Sequence, residues 1–185
     1  NSKVVFNLHY SLAGGTPEPD QTKVRFTVEP ADAELKEQKT IVLGNPAWLY
    51  GTGMLVRANE VRTYKHQIDP RLYTRGKKVA LTGVTPHMHE LGAGTVVTLV
   101  RKDGSQECLL DIPDWDFGWE QPYWFMDSIE MEKGDELYLE CTFDNTALRQ
   151  PIVGGQRQEP RDVAWGSEFQ DMCAAVVSFV ELDEE

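Results

Sequence analysis

Glu136-Leu137-Tyr138-Leu139-Glu140-Cys141-Thr142-Phe143 sets Leu137, Leu139, Cys141 and Phe143 at every second position, with mostly polar neighbours between them. Side chains on an extended backbone point alternately to opposite faces, so this spacing specifies a strand with one face on a core. Working outward, similar short runs at residues 4–10, 23–29, 40–43, 54–58, 61–68, 78–85, 95–101, 123–131 and 174–180 are broken by turn residues. Asp103-Gly104 and Lys133-Gly134-Asp135 supply the turn chemistry that antiparallel strands need. Residues 31–38 alone have helical composition, about two turns at most. The expectation is one all-β domain over residues 1–185, an antiparallel β-sandwich of jelly-roll type with little or no helix.

A chain of 185 residues is long enough to bury a real core. Its net charge of −12 speaks against a nucleic-acid partner, and none is expected, because a protein that neutralises phosphates needs a cationic footprint. The chain is expected not to span a membrane, since no apolar run approaches the roughly 18 residues required, and no signal peptide opens it. Of the three cysteines, Cys141 faces the core side of its strand and Cys173 heads the apolar run 173–180. Spacing alone leaves open whether these two form a disulfide or remain two inert thiols. Cys108 is left over.

Two segments break the regular pattern. Residues 144–165 make a long polar loop with Pro151, Gly154, Gly155 and Pro160, and loops of that length inside a domain are often functional. Trp115-Asp116-Phe117-Gly118-Trp119, followed by Tyr123-Trp124-Phe125, is dense in aromatic rings. Those rings either plug the end of the sandwich or line a substrate pocket.

The chemistry gathers at Thr85-Pro86-His87-Met88-His89-Glu90-Leu91-Gly92, answered far downstream by Asp171-Met172-Cys173. On extended backbone, residues i and i+2 share a face, so His87 and His89 present two imidazoles together while Met88 points the other way. Two of the chain's four histidines lie here, between a proline and a glycine that mark a strand end. With Met172 as third ligand the donors would be two imidazoles and a thioether. That set is soft, and it selects monovalent copper over zinc, calcium or magnesium. His66 reads as an exposed residue at a strand end. Glu90 reads as an exposed carboxylate, with a hydrogen bond to an imidazole as the competing role.

Taken in order, these pieces resemble the carboxyl-terminal catalytic domain of the copper type II, ascorbate-dependent monooxygenases, the family of peptidylglycine α-hydroxylating monooxygenase and dopamine β-hydroxylase. The residues that carry the resemblance are His9-Tyr10, His87-x-His89 with Leu91-Gly92, the Lys102-Asp103-Gly104 turn, the run from Glu140 to Asn145, and Gly166 to Cys173. The Asp116-to-Trp119 stretch is more similar to the bacterial branch. The resemblance implies that His87, His89 and Met172 hold the catalytic copper, as Cu(I) or Cu(II), which works on dioxygen and a small organic substrate of unknown identity. It implies a Cys141–Cys173 disulfide, and with it an oxidising compartment, extracellular or periplasmic.

The departures carry equal weight. Family members relay electrons from ascorbate through a second copper held by three histidines, and His9 matches only the last of these. The expectation is therefore that residues 1–10 are the tail end of a preceding electron-transfer copper domain or a boundary strand, and that the chain is the second half of a longer enzyme. Peptide-amidating members hold a substrate carboxylate with an Arg, an Asn and a Tyr at positions occupied here by Thr85, Ala174 and Val176. Two other functions compete: a copper-binding or copper-delivery module without turnover, and a β-sandwich interaction domain with a vestigial site.

Overall fold

Leu137, Leu139, Cys141 and Phe143 are all fully buried, and the strand that carries them lies inside a four-stranded sheet. The structure is a computed structural model and describes residues 4–6, 8, 19–50, 53–69, 74–166 and 170–182. Its strands are β1 (Gln38–Leu43), β2 (Leu55–Val56), β3 (Val61–Ile68), β4 (Val79–His87), β5 (Gly92–Val100) and β6 (Gln106–Ile112). There follow β7 (Tyr123–Met131), β8 (Glu136–Asp144), β9 (Ile152–Val153), β10 (Gln156–Arg157), β11 (Val163–Ala164) and β12 (Ala174–Glu181). Two 3-10 turns, Pro46–Tyr50 and Phe117–Trp119, interrupt them.

One sheet has the order β1-β12-β4-β7 and the other β3-β8-β5-β6, with every pairing antiparallel. The chain changes sheet between β3 and β4 and again between β4 and β5. The inner faces share one core, to which Ile41, Leu81, Val84, Val177 and Phe179 contribute from the first sheet and Tyr64, Val97, Leu99, Leu139 and Phe143 from the second. This is the expected all-β sandwich. Among the described residues, no helix is long and apolar enough to cross a membrane.

A disulfide between Cys141 on β8 and Cys173, just ahead of β12, ties the two sheets across the core, with Cα atoms 5.6 Å apart. Both cysteines are fully buried. Such a cross-link belongs to proteins of oxidising environments.

Four readings of the sequence need correction. β6 was not expected, because a bulge breaks its alternation: Val97 pairs with Leu110 and Thr98 with Cys108, so Leu109 is an extra residue and both leucines turn inward. Residues 23–29 form no strand; Val24, Phe26 and Val28 alternate but stay exposed, and among the described residues no strand pairs with them. Of the expected strand 4–10, residues 4–6 and 8 are likewise exposed and carry no strand assignment, while residues 7, 9 and 10 lie outside the described residues. Residues 31–38 are not helical, since a turn at Ala31 and Asp32 leads into β1 at Gln38.

The loop 144–165 is anchored rather than loose. Buried Asn145 donates from Nδ2 to the carbonyls of Arg57 (2.9 Å) and Arg161 (2.8 Å), and Gln150 Nε2 donates to Asn145 Oδ1 at 2.8 Å. A short β9–β10 hairpin turns at Gly154 and Gly155, both at positive φ.

The disulfide closes a loop between positions 32 residues apart. Replacing both cysteines with alanine is expected to lower the unfolding free energy by about 3–4 kcal/mol, chiefly by freeing the unfolded chain. Urea denaturation of the two proteins checks this, and a loss under about 1 kcal/mol would show that the cross-link does not constrain the unfolded state.

Candidate metal centre

β4 runs to His87 through Pro86, a residue without an N–H to donate. The pairing of β4 with β7 stops at Val84, so Pro86 has only β12 beside it, an edge position at which proline is tolerated. Met88, His89, Glu90 and Leu91 then carry the chain to the other sheet, where β5 begins at Gly92. Because Ala174 at the start of β12 pairs with His87, the residues just before Ala174 arrive beside this crossover. Met88 and Cys173 turn inward and are fully buried, whereas His87, His89 and Met172 are half-buried. The imidazoles of His87 and His89 stand nearly perpendicular with ring centres 5.1 Å apart.

Asp171 holds the two segments together. Its carboxylate is fully buried and accepts three backbone N–H bonds: Oδ1 from His89 (2.8 Å) and Met172 (2.8 Å), Oδ2 from Leu91 (3.1 Å). Burial pushes this carboxyl up from its ordinary range, against the pull of the three donors, which favour the anion. Its backbone is fastened too, the N–H to Ala164 O and the carbonyl to Gly166 N, each at 3.2 Å.

The rest of the His89 peptide is also engaged. Its carbonyl accepts from Gly92 N (3.2 Å) and from the indole N–H of buried Trp115 (3.1 Å). A side chain at Gly92 would strike Trp115 at 2.6 Å, so glycine is required for the indole to reach this carbonyl. Arg149, from the anchored loop, donates to the carbonyls of Gly92 (3.2 Å) and Trp115 (2.8 Å).

Each imidazole has a partner for Nδ1. His89 Nδ1 donates to the carbonyl of Gln170 at 2.9 Å, which fixes the tautomer with its proton on Nδ1. His87 Nδ1 lies 3.1 and 3.0 Å from the two carboxylate oxygens of Glu120. On a neutral ring so held, Nε2 keeps the lone pair and is the atom that a metal can take. Phe117 stands edge-on to His89 at 5.8 Å.

The residues singled out in the sequence thus divide. His87, His89 and the Asp171-Met172-Cys173 segment come together, and Cys141 and Cys173 are bonded. His9 lies outside the described residues. His66 is half-buried against Trp48, with ring centres 5.8 Å apart, and burial pulls its pKa down, so it is a packing residue and not an exposed one. Glu90 is exposed, and Cys108 is exposed and unbonded. The aromatic stretch splits, with Trp115 plugging the core end while Phe117, Trp119 and Trp124 stay exposed. Asp171 and Glu120 were not recognised as partners of the histidines in the sequence. Among the described residues, no three His, Cys, Asp or Glu side chains gather as metal ligands.

The sequence profile described as "Copper type II ascorbate-dependent monooxygenase, C-terminal domain" matches residues 59–177. The chain belongs to this family. The match runs from just before β3 into β12, and so takes in His87, His89, Asp171, Met172 and both bonded cysteines. At the level of the family, the chain is a domain of copper-dependent monooxygenases that draw on ascorbate. No curated protein matches the chain. Among solved structures it is matched to one titled "Structure of infectious bursal disease virus Gt strain", at 12% identity and a TM-score of 0.27, over 86% of this chain. The chain spans 42% of that one's length.

Truncating Asp171 leaves three N–H groups without their acceptor at a site that water reaches poorly. Asp171→Ala is expected to destabilise this monooxygenase domain by at least about 2 kcal/mol, since an orphaned buried donor costs about 1–3 kcal/mol. Urea unfolding measures this, and a loss below about 0.5 kcal/mol would place the carboxylate among ordinary surface contacts.

Proposed function

We propose that this chain is the catalytic-copper domain of a two-domain monooxygenase, with His87, His89 and Met172 as the copper ligands. The observation that carries the reading is that both imidazoles are tied through Nδ1, which leaves Nε2 on each of two rings whose centres are 5.1 Å apart, while the backbones of His89 and Met172 share one carboxylate oxygen. Two imidazoles and a thioether make a soft set that fits Cu(I). Bound copper supplies the redox chemistry by which the family uses dioxygen to hydroxylate an aliphatic or benzylic carbon. The protein's part is to hold the donors. Asp171 and Trp115 fix the His89 peptide, and buried Cys173 anchors the segment from which Met172 emerges.

Electrons would come from ascorbate through an upstream copper domain, to whose ligands His9 would belong. In support, Val5 and Val28 are more than four-fifths exposed and Phe6 lies 5.8 Å from Phe26, an apolar face that no other described residue covers. The disulfide supports secretion, to the periplasm or the cell exterior. The substrate is a small organic molecule. Thr85 pairs with Val176 and His87 with Ala174, so the positions where amidating members hold a carboxylate carry no charge here. This speaks against peptide amidation.

Copper analysis of the wild type beside His87→Ala and Met172→Ala tests the ligand set. Removing the imidazole is expected to weaken Cu(I) at least about tenfold, a loss of about 1.4 kcal/mol. Equal stoichiometric uptake by all three proteins would remove these residues as ligands. With ascorbate and oxygen, the chain by itself should turn over poorly, and brisk turnover would contradict the two-domain reading. A delivery module would bind copper with the same ligands yet stay inactive when joined to its upstream domain.

A further inference from the structure

Both oxygens of Glu120 lie within 3.1 Å of His87 Nδ1, and the two side chains are about equally shielded, at 34% and 29% exposure. The meeting lies just past the end of a strand pairing. Val84 on β4 pairs with Tyr123 at the start of β7. The ladder ends there, and just past it His87 closes β4 while Glu120 lies three residues ahead of β7, where their side chains meet. The approach to Glu120 is itself fixed. Glu120 caps the 3-10 turn Phe117–Trp119, whose opposite cap, Asp116, accepts from Gly118 N at 2.8 Å. Just ahead, Trp115 is buried and bonded to His89.

The two rings are therefore held by different chemistry. His89 donates to a neutral carbonyl, whereas His87 faces an anion. A carboxylate behind an imidazole fixes the tautomer and makes the far nitrogen the stronger donor. We propose that Glu120 is the positioning residue of the centre, holding the His87 ring with its proton on Nδ1 so that Nε2 is the ligating atom and outdoes its counterpart on His89 as a donor. The proposal rests on the ligand set given above. A better donor favours the higher charge, so Glu120 stabilises Cu(II) more than Cu(I) and lowers the potential of the couple.

Two readouts test it. In the metal-free protein at about pH 8, where free imidazoles are neutral, nitrogen NMR reports each histidine's tautomer. His87 should be protonated on Nδ1 in the wild type and become a mixture of tautomers in Glu120→Ala, with His89 unchanged. In the copper-loaded protein, competition titrations with Cu(II) and Cu(I) chelators give the two affinities. Glu120→Gln, which keeps the side chain's shape, should lose about 10–100-fold for Cu(II) and distinctly less for Cu(I). Thermal unfolding should barely move, because partly exposed pairs contribute about 0–1 kcal/mol.

An unchanged His87 tautomer in Glu120→Ala would overturn the proposal, as would equal losses for both copper states in Glu120→Gln. Failure of the wild type to take up copper would instead sink the ligand set, and the tautomer experiment would then decide the Glu120 contact by itself.

Discussion

The centre depends on one buried anion. A carboxylate out of water is tolerated only when its lone pairs are satisfied, and Asp171 satisfies them with N–H groups of His89, Leu91 and Met172. Two of these belong to the β4–β5 crossover and the third to the entry of β12, where Asp171 itself lies 82 residues beyond His89. Separating the segments would strand both the charge and the donors, so the anion makes a bond between distant parts of the chain that neither segment could make with water.

The fold prepares this contact before any side chain acts. β4 and β12 are neighbours in one sheet, and their pairing of His87 with Ala174 brings residues 170–173 to the crossover. Alternation then sorts the side chains. Met88 and Cys173 go to the core, and the two histidines and Met172 stay half-buried. The disulfide acts on the same spot, because Cys173 is bonded to Cys141 of the opposite sheet, and the residue next to Met172 is thereby fixed to both sheets. A pair of rings at a strand end would ordinarily be mobile. Here the peptide carrying His89 is bonded at its N–H, its carbonyl and its ring.

What was legible in the sequence was what local periodicity carries. Strands β3, β7 and β8 stand where alternation put them, and His87 and His89 announced themselves by spacing alone. β6 was missed because a bulge turns two successive leucines inward, and residues 23–29 were overcounted because alternation reports a one-sided surface, not the neighbour that a ladder needs. The partners of the histidines were hidden for another reason. Nothing near Glu120 or Asp171 marks a carboxylate as bonded to a ring or peptide that distant in sequence, since register decides it. Glu120 meets His87 just past the point where Val84 faces Tyr123 and the β4–β7 ladder ends, and that pairing is a tertiary fact.

The aromatic stretch shows how both competing readings of one segment hold at different residues. Trp115 is buried, and its indole N–H has a carbonyl to meet, which is what a ring used as a plug requires. Two residues on, Phe117 leaves the core and stands against His89, and at Glu120 the segment delivers its carboxylate to His87. Since Gly92 admits the indole and Arg149 bonds the carbonyls of both Gly92 and Trp115, the aromatic stretch, the anchored loop and the crossover are fastened together. Any displacement of the Trp115 ring would therefore be felt at both imidazoles, through the His89 carbonyl on one side and through Glu120 on the other.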